Sequence, residues 1–516
     1  MMQRFFLLLS LLACGGSALA QRPVLTRPAP PDREFRQWDR QTAAHLMRRA
    51  GFSASLQEID RLVEQGFPAT LDELLNYEQV DDSELEDLLL RLRNPDSFFF
   101  DPWDFVDSFG DGFRVDVDEL RQWQVLRMML SKRQLLEKMT FFWHDHFATS
   151  IETVKDATRV EPKALMALQN QTLRQHALGN FKEMVHAISK DPAMLVWLDN
   201  ISNKAGKPNE NWARELMELF TMGVGEFSEE DVQEAARAFT GWTFDRDSGD
   251  FIIEQTRHDA GLKTVLGETG PLNGDDVIEI IFRQPVTAEF ITRTVWEHFA
   301  YQDPDPHLVR NLARVFRESG YEIKPLMRAL FRHPKFFSDR AMRGLVKQPV
   351  ELIISAFREV GFPVSFLAAI LSIDAMNELG QPLFAPPNVG GFPQGRAWLN
   401  TASMLSRFNF FADSFARRRA VPLDPFGEDV VYTFPEWLAE IATRNELRRE
   451  DDYVSHFANV FLQGDLSPDS KLILEDYMRR GSEGQLLGWD LRRSDADAKV
   501  LGLVFLIMSL PEYQMN

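Results

Sequence analysis

Three short stretches of this chain gather side chains able to do chemistry. The first is Trp143-His144-Asp145-His146-Phe147, at the end of a long apolar run. Imidazoles are common ligands of divalent metals, but on a helix His144 and His146 diverge by about 200° and cannot share one ion. On an extended chain they point the same way. His146 continues the apolar face of Met139, Phe142 and Trp143, which favours burial, and a buried histidine is more often a hydrogen-bonded core residue than a ligand.

The second stretch is KPNENWARELMELFTMGVG, Lys207 to Gly225. At about 100° per residue, Asn211, Arg214, Glu215 and Glu218 share one narrow arc of a helix. Trp212, Ala213, Leu216, Met217, Leu219 and Phe220 fill the wider arc, so the helix is expected to be buried on several sides. Buried carboxylates and a guanidinium are costly unless paired or bound to something. Three readings follow. In one, Arg214 pairs with Glu218 and Glu215 pairs with a base from elsewhere, such as Arg237. In the second, Glu215 and Glu218 face His144 or His146 across a helix-lined cavity and hold a divalent metal. In the third, the stripe lines a metal-free catalytic or ligand pocket. The Glu-x-x-His spacing typical of bundle metal sites is absent from this helix.

The third stretch is Arg257-His258-Asp259, with Lys263 close behind. A loop histidine beside a carboxylate suits a general base, and it suits a loop anchor equally well. The sequence therefore nominates His258, Asp259 and Glu215 as catalytic, Asn211, Arg214 and Arg237 as ligand-binding, and His144, His146 and Glu218 as metal ligands. No nucleophile stands out. There is no Gly-x-Ser-x-Gly elbow, and the one cysteine, Cys14, lies in the leader. The loop NVGGFPQG (388–395) lacks the lysine and preceding strand of a phosphate cradle, so its glycines and prolines are expected to set tight turns.

The elements that must position these groups read as helical almost throughout. Helices are expected around Ala44–Ala50, Leu56–Val63 and Leu71–Leu75, then over Val117–Phe147, Glu161–Gly179, Asn209–Met222 and Ser228–Thr240. Ser228-Glu229-Glu230-Asp231 has the form of a capping box. TFDRDSGDFIIE reads as a small hairpin turning at Asp247-Ser248-Gly249. The acidic and aromatic run Asp81–Glu119 reads as an irregular flap that matches no calcium loop. The expected fold is all-α, a multi-helix array with one small hairpin and long loops. Its organisation reads as a signal peptide (1–20), a Pro-rich linker (21–40), N-terminal helices with the flap (41–120), a central helical domain with the polar site (121–420) and a C-terminal helical segment (421–516).

Arg4, the apolar run Phe5–Ala13 and Ser17-Ala18-Leu19-Ala20 have the order of a secretory signal. Leu11-Leu12-Ala13-Cys14 loosely matches a lipoprotein site, a less favoured alternative. Export, periplasmic or secreted, with no membrane-spanning segment is the expectation. A net charge of −20 leaves no basic stripe for nucleic acid.

Seven segments, AAHLMRRAGF, FFWHDHFATS, RQHALGNFKEMVHAISKDPAMLVWLDN, NENWARELMELFTMGVG, DVQEAARAFTGW, HDAGLKTVLG and APPNVGGFPQGRAWLNTASML, stand in this order. With the LMSLPEYQ ending, they make residues 35–515 resemble the bacterial exported family catalogued as Domain of Unknown Function 1800. The resemblance implies a large exported helical protein whose family has no established activity. It also implies a partner, since members are often encoded beside an exported sulfatase- or phosphatase-like protein. This chain has Gly390 and Phe392 where members often carry Lys and Trp, so no basic role is expected of that loop. Two function classes remain: a ligand- or metal-binding centre, with hydrolysis as one use of it, or a non-enzymatic scaffold that docks an exported partner.

Overall fold

In the computed structural model, the described residues are 37–92, 117–154, 162–361, 364, 366–415, 419–420, 432–464, 466–481, 484–489 and 496–516. The segment expected to be a signal peptide, with Cys14, most of the expected Pro-rich linker and the aromatic centre of the expected flap lie outside them.

Helices dominate, each starting and stopping for local reasons. Asp39 caps Arg40–Ala50, with Thr42 closing the box. Ser228 and Asp231 form the capping box read from the sequence, opening Glu229–Ala238. Gly66, at φ +86°, ends Leu56–Gln65 and allows Phe67–Leu75 to start at once. The long helix expected over 117–147 is two, Val117–Leu130 and Gln134–His146. The flap begins as a helix too, Ser83–Leu92.

The expected hairpin pairs β1 (Trp242–Phe244) with β2 (Phe251–Ile253), Trp242 opposite Ile253. Two further two-stranded ladders accompany it. β3 (Lys263–Val265) pairs with β4 (Glu268–Gly270), and β5 (Arg419–Ala420) with β6 (Tyr432–Thr433). The two further ladders escape a sequence reading because strands of two or three residues carry too little alternation, whereas the first hairpin is marked by its Asp247-Ser248-Gly249 turn.

One hydrophobic cluster runs from Ala43 to Tyr513, crossing positions 120 and 420. It encloses many charges in pairs. Lys138 bonds Glu351, and Arg174 bonds Glu137. Lys347 lies 3.7 Å from Glu359, both fully buried. Among the described residues, no helix is long and apolar enough to cross a membrane.

Candidate functional site

The helix Gln134–His146 remains helical through both histidines, which removes the extended-chain geometry. They face different neighbours, as helical spacing requires. His144 is buried, and its Nε2 accepts the Phe384 N–H at 3.2 Å. Burial lowers its pKa to about 4, so the ring is neutral and carries its proton on Nδ1. The Nε2 lone pair is spent on the backbone. As a metal ligand His144 is corrected to a bracket for the Phe384 segment.

His146 has the opposite tautomer. Its Nε2–H donates to the Phe220 carbonyl at 3.0 Å, leaving the lone pair on Nδ1. Phe142, Trp143, Phe147, Phe181 and Phe220 surround the ring, and burial again lowers its pKa to about 4.

Asp145, between them, turns to the Gly-rich loop. Its Oδ1 accepts the Phe392 N–H at 2.8 Å, and its Oδ2 accepts from Gln394 Nε2 at 2.9 Å. Burial raises its pKa to about 6, against the pull of these two bonds. Gly391 sits directly over the carboxylate at φ +81°. Sequence reasoning nominated neither residue. The signal available was the Gly390-Gly391 pair, since a positive φ and a close backbone approach both call for glycine.

The Glu215 helix departs from the uniform α-helix assumed from sequence. Asn211–Glu215 is α-helical, and Leu216–Thr221 is a π-helix. The burial pattern explains why. Trp212, Leu216 and Phe220 are buried at four-residue spacing, and so are Ala213, Met217 and Thr221. That period advances about 90° per residue, short of the ~100° of an α-helix, and a widened turn makes up the difference. Leu219 accordingly lies half-buried with Arg214, Glu215 and Glu218, while Asn211 is exposed. The Phe220 carbonyl, at the C-terminal end of this turn, is the group His146 satisfies.

The ion pairs proposed for this helix are also corrected. Arg214 binds Glu210 at 3.0 Å and Glu229 at 2.7 Å, not Glu218. Arg237 binds Glu234 and Asp259, each at 2.8 Å, not Glu215. Glu229 reaches the guanidinium from the first turn of the capped helix Glu229–Ala238, and Glu210 from four residues before Arg214. Among the described residues, Glu215 and Glu218 have no hydrogen-bond or ion-pair partner. Burial raises the pKa of Glu215, and the Glu218 charge adds to the effect.

The third stretch is a braced loop. His258 Nδ1–H donates to the Thr240 carbonyl at 2.8 Å, and the Asp259 N–H bonds Thr240 Oγ1 at 2.8 Å. The Arg237 hydrogen bonds hold the Asp259 carboxyl down at about 2. Asp259 thus faces Arg237 rather than orienting His258, and the Thr240 carbonyl holds the imidazole in its place. Gly241 closes the joint at φ +77°, where a Cβ would meet the Glu254 carbonyl at 2.7 Å.

Two sets of contacts thus emerge among the nominated groups. One joins His144, Asp145 and His146 to the Phe384–Gln394 loop and the π-turn. The other joins Arg237, His258 and Asp259. Among the described residues, no group of three or more His, Cys, Asp or Glu side chains is placed to hold a metal ion, so His144, His146 and Glu218 do not form a ligand set.

Taken together, fold and site define an all-α protein whose longest sequence signatures meet at the end of one helix. The chain belongs to the family described as Protein of unknown function (DUF1800), which it matches over residues 45–515. Comparison with curated proteins and with solved structures found no match.

Proposed function

We infer that this chain is an exported protein that binds a cation through Glu215 and Glu218 on the π-turn. The occupant is a divalent metal ion whose remaining coordination comes from water or from the ligand it accompanies. One observation carries the reading. Among the described residues, the two half-buried carboxylates have no hydrogen-bond or ion-pair partner: Arg237 is bonded to other acids, and so is Arg214, which acts on Glu215 only through space. Partly buried like charges are destabilising when unpaired, and π-turns recur at functional sites. His146 hangs from the same turn with its Nδ1 lone pair uncommitted. The reading stops at binding and assigns no nucleophile.

The test uses untagged, chelator-treated protein. Calcium, magnesium, manganese and zinc chlorides are titrated in turn, by calorimetry and thermal melting. A saturating cation stabilises by roughly 2.7 kcal/mol at 100 times Kd, and Glu218→Gln should abolish that gain. Identical melting in every salt would overturn the reading.

The scaffold reading has its own support. His144, Asp145, Arg237, His258 and Asp259 all brace loops through internal bonds, as a rigid docking platform requires. Its partner would be a co-encoded exported sulfatase- or phosphatase-like protein. Co-purification of the two after mild extraction supports it, and recovery of this chain alone counts against it.

A further inference from the structure

The segment that follows the helix Ala496–Ser509 folds back into the body of the protein through an unusual density of bonds. The Lys347 N–H donates to the Gln514 carbonyl at 2.9 Å, and the Asn516 N–H donates to the Leu345 carbonyl at 2.7 Å. These enclose an antiparallel bridge between Val346 and Met515. Arg343 Nη1 donates to the Met515 carbonyl at 2.9 Å. Fully buried Arg407 spans the joint, with one nitrogen on Gln514 Oε1 at 3.0 Å and another on the Lys347 carbonyl at 2.8 Å. Tyr513 donates its hydroxyl to Glu359 at 2.9 Å, and Lys347 Nζ lies 3.8 Å from the centre of its ring. The segment thus closes over a buried Lys347–Glu359 pair that would otherwise lack part of its cover.

Met515 links this segment to the candidate region. Its side chain packs with Val346, Phe392 and Trp398 in a small apolar cluster separate from the main core. Phe392 is the residue whose N–H is held by Asp145. The Gly-rich loop is therefore fastened on one side by a carboxylate and on the other by Met515. In a cluster of four side chains each member forms a large part of the others' surroundings, so removing one is felt by the rest.

We propose that residues 511–516 are a strap that sets the position of the 386–398 loop, so that strap and loop dock and release together. This is independent of the cation-binding reading, because no step involves Glu215 or Glu218. Coupling of this kind is reciprocal, which gives it two tests on the full chain by amide hydrogen exchange. Met515→Ser should accelerate exchange across 386–399 by about tenfold or more while leaving Glu229–Ala238 unchanged. Phe392→Ala should accelerate the Gln514 and Asn516 amides in the same way. If either variant is insoluble, the other decides. Faster exchange confined to the substituted segment would overturn the proposal, as would equal acceleration throughout the chain.

Discussion

Asp145 and Gly391 meet so closely that a Cβ on Gly391 would stand 2.6 Å from the Asp145 carboxylate and 2.7 Å from its carbonyl oxygen. The two most distinctive segments of the sequence, FFWHDHF and NVGGFPQG, are thus parts of one joint. The contact adds a steric demand to the conformational one, since Gly391 already requires a positive φ.

Gly391→Ala should therefore cost about 2–4 kcal/mol, or displace the loop from Asp145. Gly395, at φ +57° with open space around its Cβ position, gives the control: Gly395→Ala should cost only about 1 kcal/mol. Urea unfolding of both variants checks this. Equal losses would show that the Asp145 contact contributes nothing.

Glu215→Gln should stabilise the cation-free protein at pH 7 by only about a few tenths of a kcal/mol, since solvent screens a half-buried carboxylate. The raised pKa of Glu215 means the native state holds its proton more tightly than the unfolded chain does. That contribution is present below the ordinary carboxylate value and is lost as pH rises through the raised one. Glutamine cannot lose it, so the variant's advantage should vanish near pH 4. Destabilisation at pH 7 instead would reveal a cationic partner for Glu215.

Asp259→Asn should have the opposite sign. Its folded carboxyl titrates at about 2, so its contribution is present above the unfolded value and disappears as pH falls toward 2. Because both Asp259 and Arg237 are partly exposed, the cost at pH 7 is about 1–2 kcal/mol. It should shrink steadily between pH 4 and 2 in denaturant melts. A deficit that stays constant with pH would point to loss of the Gly261 N–H bond alone.

His298 offers a test away from the candidate region. Its Nε2 is buried with no hydrogen-bond partner among the described residues, its ring lies 4.8 Å from Phe142, and burial with the Lys138 charge depresses its pKa to about 3. Below about pH 6.5 the unfolded ring gains a proton that the folded ring refuses, so wild-type stability falls with pH. His298→Leu should remove its own share of that fall, leaving those of His144 and His146, and gain roughly 1–2 kcal/mol over wild type between pH 7 and 5. Parallel pH–stability curves would refute the assignment.

Much of the fold could be read from the chain. The capping box at Ser228 and the hairpin facing Trp242 with Ile253 are local, set by side chains within a few residues of the backbone they control. The divergence of His144 and His146 likewise follows from helical spacing alone. The helix around Glu215 marks where that reasoning stops. The sequence reading took it as a regular α-helix, whereas the structure buries Trp212, Leu216 and Phe220 on one face and widens the turn into a π-helix.

Composition and order of residues determined the all-α class, the family and the list of polar groups worth examining. The tertiary structure decided which of those groups touch. Arg214 could have reached any acid a turn away, and the approach of Glu229 made the choice. Asp145 could have served either neighbouring histidine, and a loop some 250 residues distant claimed it instead. Pairing between charges depends on distances of a few ångströms, and those are fixed by how helices pack rather than by what any one helix contains.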